Sequence, residues 1–124
     1  MNTTKPITSH PQSNNNLHAL ELALQAAGTA IALVDRVPTK LKSLQDQVIR
    51  SASSVPANIA EGHGRAGRDR SYHYRIAYGS AKEIDVHLRI LAGANAIDRL
   101  ETEAVLELFD QVRAMLWRLM HPQR

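Results

Sequence analysis

Residues 53–65 read SSVPANIAEGHGR, and the reading of this stretch decides the fold. Pro56 falls inside a helical pattern, and Gly62 and Gly64 follow within two turns. Residues 62–67, GHGRAG, also match G-x-G-x-x-G. A dinucleotide-binding glycine loop follows a strand and opens a helix. Here a helical apolar seam precedes the glycines and no P-loop lysine follows them. The stretch therefore reads as the turn between two antiparallel helices, with Gly62 and Gly64 supplying positive φ where the chain reverses. Pro56 either kinks a continuous helix, freeing the carbonyl of Ala52, or sits in the first turn of a short new helix capped by Ser53 or Ser54. The seam runs on to Ile59 almost in register, which favours the kink. Asn58 and Glu61 then stand beside the turn, placed to bond backbone groups that the proline and glycines leave unpaired.

Working outward, four segments repeat apolar residues at spacings of three and four. The first has Leu17, Leu20, Leu24, Ala27, Ile31 and Val34, with Pro38 at or just past its end. The second has Leu41, Leu44, Val48, Ser51 or Ala52, Val55 and Ile59. The third has Tyr74, Ala77, Ala81, Ile84, Leu88 and Leu91, with Gly93 as C-cap. The fourth has Val105, Leu108, Val112, Met115 and Leu119, capped at Asp98 or Thr102. No stretch alternates with period two over strand length. The fold class is all-α, an antiparallel up-down-up-down four-helix bundle. Residues 16–121 form its one domain, and the polar residues 1–15 read as a disordered tail.

Composition agrees. Aromatic content of 4% is low for a β-rich fold, and zero cysteines exclude disulfides and thiolate zinc sites. No apolar run approaches the roughly 20 residues that span a bilayer, and residues 1–16 lack the apolar segment of a signal peptide. A cytoplasmic protein without membrane partners is expected. Apolar residues exceed what one bundle stripe uses: Leu22 and Leu33, Ile76, Val86 and Ile90, and Leu106, Phe109, Leu116 and Met120. The surplus points to self-association, the other reading being a wide core stripe with scattered surface leucines.

Arg50, Ser54, Val55, Pro56, Asn58, Ile59, Ala60, Glu61, Gly62, Gly64 and Arg65, followed by Ala77, Gly79, Ser80 and Glu83, carry a family resemblance. QVIRSASSVPANIAEGHGR and then RIAYGSAKEIDVHLRIL resemble the four-helix-bundle proteins encoded in intervening sequences of bacterial 23S rRNA genes. The close match covers residues 41–91; Tyr72-His73-Tyr74 departs from it, being more polar than is usual there. The resemblance implies a four-helix protomer assembled into a homopentamer. It also implies distant kinship with the accessory proteins of diversity-generating retroelements, which bind a reverse transcriptase and nucleic acid. It implies no catalysis and no cofactor.

Net charge is +3, unevenly spread. Residues 40–90 carry nine Lys/Arg and five Asp/Glu; residues 98–110 carry five acids and one arginine. Arg68, Arg75, Lys82 and Arg89 recur every seven residues, nearly two helical turns, and so share a face. Arg65 and Arg70 add charge at its start, and Tyr72, Tyr74 and Tyr78 are interleaved. Such a face can bind phosphates while a tyrosine stacks on an unpaired base. Asp69 and Asp85 partly neutralise it, and Tyr74 falls on the core seam. RNA or another nucleic acid is the expected ligand, and a docked partner such as a reverse transcriptase is the alternative. Gly79 lies mid-helix beside Ser80, where glycine costs about 1 kcal/mol relative to alanine; close helix–helix approach, against Ala52, Ala57 or Ala60, is the expected return. Glu61 and Glu83 are expected to pair with Arg50 or Arg65. The six histidines form no i,i+4 pair and no metal-binding motif. No oriented acid and no oxyanion hole accompany Ser53, Ser54 and His63.

Overall fold

The structure, a computed structural model, describes residues 11–122. Four helices, α1 (Pro11–Leu33), α2 (Lys42–His63), α3 (Gly67–Gly93) and α4 (Arg99–Met120), follow one another, with a short 3-10 turn at Thr39–Leu41. Among the described residues there is no strand. Each helix packs on its two ring neighbours and none packs on the diagonal partner, as an up-down-up-down bundle requires. Of the expected tail, residues 1–10 lie outside the described residues, while α1 already begins at Pro11.

The third seam is the core as read: Tyr74, Ala77, Ala81, Ile84, Leu88 and Leu91 are all buried. The second holds too, with Val48, Ser51, Ala52, Val55 and Ile59 buried. α2 runs unbroken through Pro56, which is itself buried. The short new helix is thereby ruled out.

The first and fourth seams are turned. Leu17 and Leu24 are 59% and 57% exposed, and the buried face of α1 is Ala19, Leu22, Ala23, Ala26, Ala27, Ala30 and Val34. At about 100° per residue this rotates the seam by roughly a quarter of a turn. Alanine has little side chain to hold helices apart, so the alanine face admits the closest approach, and the larger leucines are left at the rim. In α4 the buried residues are Thr102, Val105, Leu106, Phe109, Val112 and Leu116. Phe109 is the largest fully buried side chain of α4. Leu108, Met115 and Leu119 pack at the margin of the core.

Helix ends are closed locally. Gln45 Nε2 donates to the Val34 carbonyl (2.8 Å), where α1 runs out of partners. Asp98 is the N-cap of α4, its Oδ2 accepting from Glu101 N at 2.9 Å. Gly93 is not the C-cap of α3 but its last helical residue. The left-handed residue is Asn95 (φ 60), with Asn95 N bonded to Ala92 O and Ala96 N to Leu91 O. That is the double closure of a Schellman motif, and asparagine tolerates the conformation almost as glycine does.

Candidate nucleic-acid interface

The α2–α3 hairpin organises most of the singled-out residues. Neither Gly62 nor Gly64 has positive φ; in this turn that conformation belongs to Gly67 (φ 60). Gly62 is needed for space. A Cβ there would lie 2.6 Å from Tyr74 Cε1 and 2.8 Å from Cδ1. Gly64 is the C-cap of α2.

A polar seam joins the two helices. Ser51 Oγ donates to Glu83 Oε1 (3.0 Å), and Ser80 Oγ donates to Ser54 Oγ (2.9 Å). Asn58 Nδ2 donates to Ser54 O (3.0 Å) and Ser54 Oγ (3.1 Å), while its Oδ1 accepts from His73 Nδ1 (3.0 Å). Asn58 thus reaches a backbone carbonyl, but that of Ser54 and not the Ala52 carbonyl that Pro56 frees. Glu61 turns to Arg65 instead. Glu83 pairs with Ser51 rather than with an arginine.

At the hairpin's end His63 bridges three segments. Its Nε2–H donates to Asn16 O of α1 (2.7 Å), and its Nδ1 accepts from the Tyr74 hydroxyl (2.8 Å). Burial holds His63 below the ordinary histidine range and pushes the Tyr74 hydroxyl up.

The six expected nucleic-acid contacts divide into two groups. Arg70 is half-buried and donates to the carbonyls of Gly62 (3.1 Å) and His63 (3.2 Å). It caps α2, where a cation meets the negative end of the helix. Arg65 is engaged by Glu61 (2.6 Å) and Asp69 (3.7 Å), and the Glu61 bond lowers that carboxyl's pKa and raises the guanidinium's. Arg89 bonds Asp85 at 2.5 Å, which raises its pKa. Arg68, Arg75 and Lys82 are exposed and make no ion pair among the described residues.

α3 carries two outward stripes. Arg75 and Lys82 lie toward α4, the side on which Asp85 meets Arg113 of α4 at 3.7 Å. Tyr72, Gly79, Val86 and Ile90, all exposed, lie about 50° farther round the helix, facing straight outward, and Arg68 falls in line with this second stripe. Gly79 is not in a close helix contact: nothing stands within 4 Å of the position its Cβ would take.

Sequence reading missed the outer groove between α3 and α4. It has a volume of about 520 Å3 and is lined by Tyr78, Asp110, Arg113, Ala114, Trp117 and Arg118. The exposed lone tryptophan, one residue before Arg118, was the available signal. Among the described residues, no group of three or more His, Cys, Asp or Glu side chains could hold a metal ion. Among the described residues, no helix is long and apolar enough to cross a membrane.

A family model described as 23S rRNA-intervening sequence protein matches residues 15–118. A crystal structure of a protein with unknown function, from the S23 ribosomal protein family of Bacteroides thetaiotaomicron, is similar with a TM-score of 0.79. The similarity covers 86% of this chain and 98% of the other at 22% identity, and so establishes a shared fold. None of the curated proteins matches.

Proposed function

The chain belongs to the 23S rRNA-intervening sequence protein family, and from that premise we propose that it is a non-catalytic, self-associating helical bundle that binds RNA or another nucleic acid through the basic stripe of α3. The observation that carries the reading is the trio Arg68, Arg75 and Lys82, exposed, regularly spaced and without acidic partners among the described residues. A cation already paired must give up its carboxylate before it meets a phosphate; these three need not. The resemblance to intervening-sequence proteins makes RNA the first ligand to try.

Self-association is supported by the second stripe. Tyr72, Val86 and Ile90 leave apolar surface in water, and Gly79 between them has open space where a neighbouring helix could approach. Five copies is the number the family resemblance implies. A ring would multiply a three-cation stripe into one avid surface.

The test is RNA affinity at 50 and 200 mM salt. Three phosphate contacts on a single strand give a log–log slope of about −2, or roughly 20-fold weaker binding across that range. Replacing Arg68, Arg75 and Lys82 by glutamine should remove both affinity and slope. The docking alternative, in which the apolar stripe holds a partner enzyme such as a reverse transcriptase, has negligible RNA affinity in both proteins.

A further inference from the structure

We propose that the groove between α3 and α4 is a stacking site for an unpaired nucleobase, with the Trp117 indole as its platform. The inference rests on the nucleic-acid reading above and adds a base-binding element to it. Trp117 is 52% exposed although it is large and apolar. Its ring is braced on one face. His121 stacks on it with ring centroids 4.0 Å apart and planes inclined by 22°, and His121 is itself tied back to Trp117 O at 2.9 Å. His121 does not line the groove, whereas Trp117 does, together with Tyr78. A prefixed aromatic surface loses little freedom when a base settles on it, and base–aromatic stacking tolerates any base.

The surrounding charges suit a single strand. Arg118 lines the groove, is exposed, and makes no ion pair among the described residues. Arg75 and Lys82 lie three residues before and four after Tyr78, one helical turn away on either side. Free cations therefore flank the aromatic floor, as a backbone-tracking groove requires. Arg113 and Asp110 also line it but neutralise one another, and Arg113 is further held by Asp85 at 3.7 Å. They serve as a wall rather than as a phosphate contact. A duplex keeps its bases stacked internally and cannot offer one to Trp117, so the site selects single strands.

Trp117 is the chain's only tryptophan, so its emission reports on this site alone. The full chain is titrated with a ten-nucleotide single-stranded RNA, a duplex RNA and heparin, following tryptophan emission and, separately, the anisotropy of labelled RNA. Single-stranded RNA should quench the emission saturably; duplex RNA and heparin, binding only the cations, should leave it unchanged. Trp117→Ala should weaken single-strand binding roughly 5- to 150-fold, with helix content and native mass unchanged, and Trp117→Phe should retain most of the affinity. Salt-dependent RNA binding with unaltered emission, or Trp117→Ala binding as wild type, overturns this inference and leaves the proposed function standing. Weaker binding accompanied by a smaller native mass also overturns it, because Trp117 then acts at a subunit contact. No binding to any nucleic acid overturns both.

Discussion

An added methyl at Gly62 would meet the Tyr74 ring at 2.6 Å, and that ring has nowhere to go. Tyr74 is buried and its hydroxyl is held by His63. In a free helix Gly→Ala gains about 1 kcal/mol, whereas overpacking a core costs about 1–3 kcal/mol. Steric cost wins, and Gly62→Ala should lower the thermal midpoint in a calorimetric scan. Gly79→Ala, with open space at its Cβ, should raise it if no other subunit approaches there. His63 gives a pH signature. Its folded pKa lies below the ordinary 6.5 because burial disfavours the charged ring, and nearby Arg70 adds to this. The unfolded chain therefore binds the proton more readily. The stability from neutral His63 is complete above pH 6.5 and is lost as pH falls from there through the lower folded value. Thermal midpoints measured across that interval should fall with acidification, and His63→Phe should flatten the profile.

At the scale of the element, the ends of α2 and α4 are the places to probe. Arg70 was expected on the nucleic-acid face, but it donates two bonds to the last carbonyls of α2. Charge-assisted bonds of this kind contribute about 1.5–3 kcal/mol; changes at exposed Arg68, Arg75 or Lys82 stay within about 0.5 kcal/mol. Arg70→Met should thus unfold at clearly lower denaturant, while Arg75→Met should unfold with wild type and lose only RNA affinity. Asp98→Ala should cost about 1 kcal/mol by removing the N-cap of α4. The same helices show what the sequence could disclose. The α3 seam was legible because Tyr74 to Leu91 runs unbroken at spacings of three and four, whereas its rival, Tyr72, Ile76, Val86 and Ile90, is interrupted by Gly79 and Glu83. The α1 seam was not. Leucines at 17, 20 and 24 mark one flank and alanines at 19, 23, 26 and 30 another, and which flank packs depends on how near the neighbouring helices come. The heptad of cations was equally plain in the sequence. Which of the six expected contacts were free was not, because Arg70, outside that heptad, finds its carbonyls only once α2 and α3 fold back on each other.

For the whole molecule, the proposed function gives the two stripes of α3 different work: apolar residues for contact between copies, cations for the ligand. Gly79 tests that division. Within a single subunit a leucine at this position meets nothing and should leave the helix folded, since its Cβ points into open space. At a subunit contact the same leucine forces two helices apart, and overpacking costs of about 1–3 kcal/mol recur at every interface of a closed ring. Gly79→Leu should therefore keep the wild-type helical spectrum while native mass spectrometry finds it as a smaller species. Its RNA binding should weaken by the lost avidity even though Arg68, Arg75 and Lys82 are untouched. A wild-type chain that runs as a monomer at micromolar concentration, or a Gly79→Leu variant of unchanged mass, removes this stripe from assembly. Mid-helix glycine would then be a cost of about 1 kcal/mol with no return within this bundle.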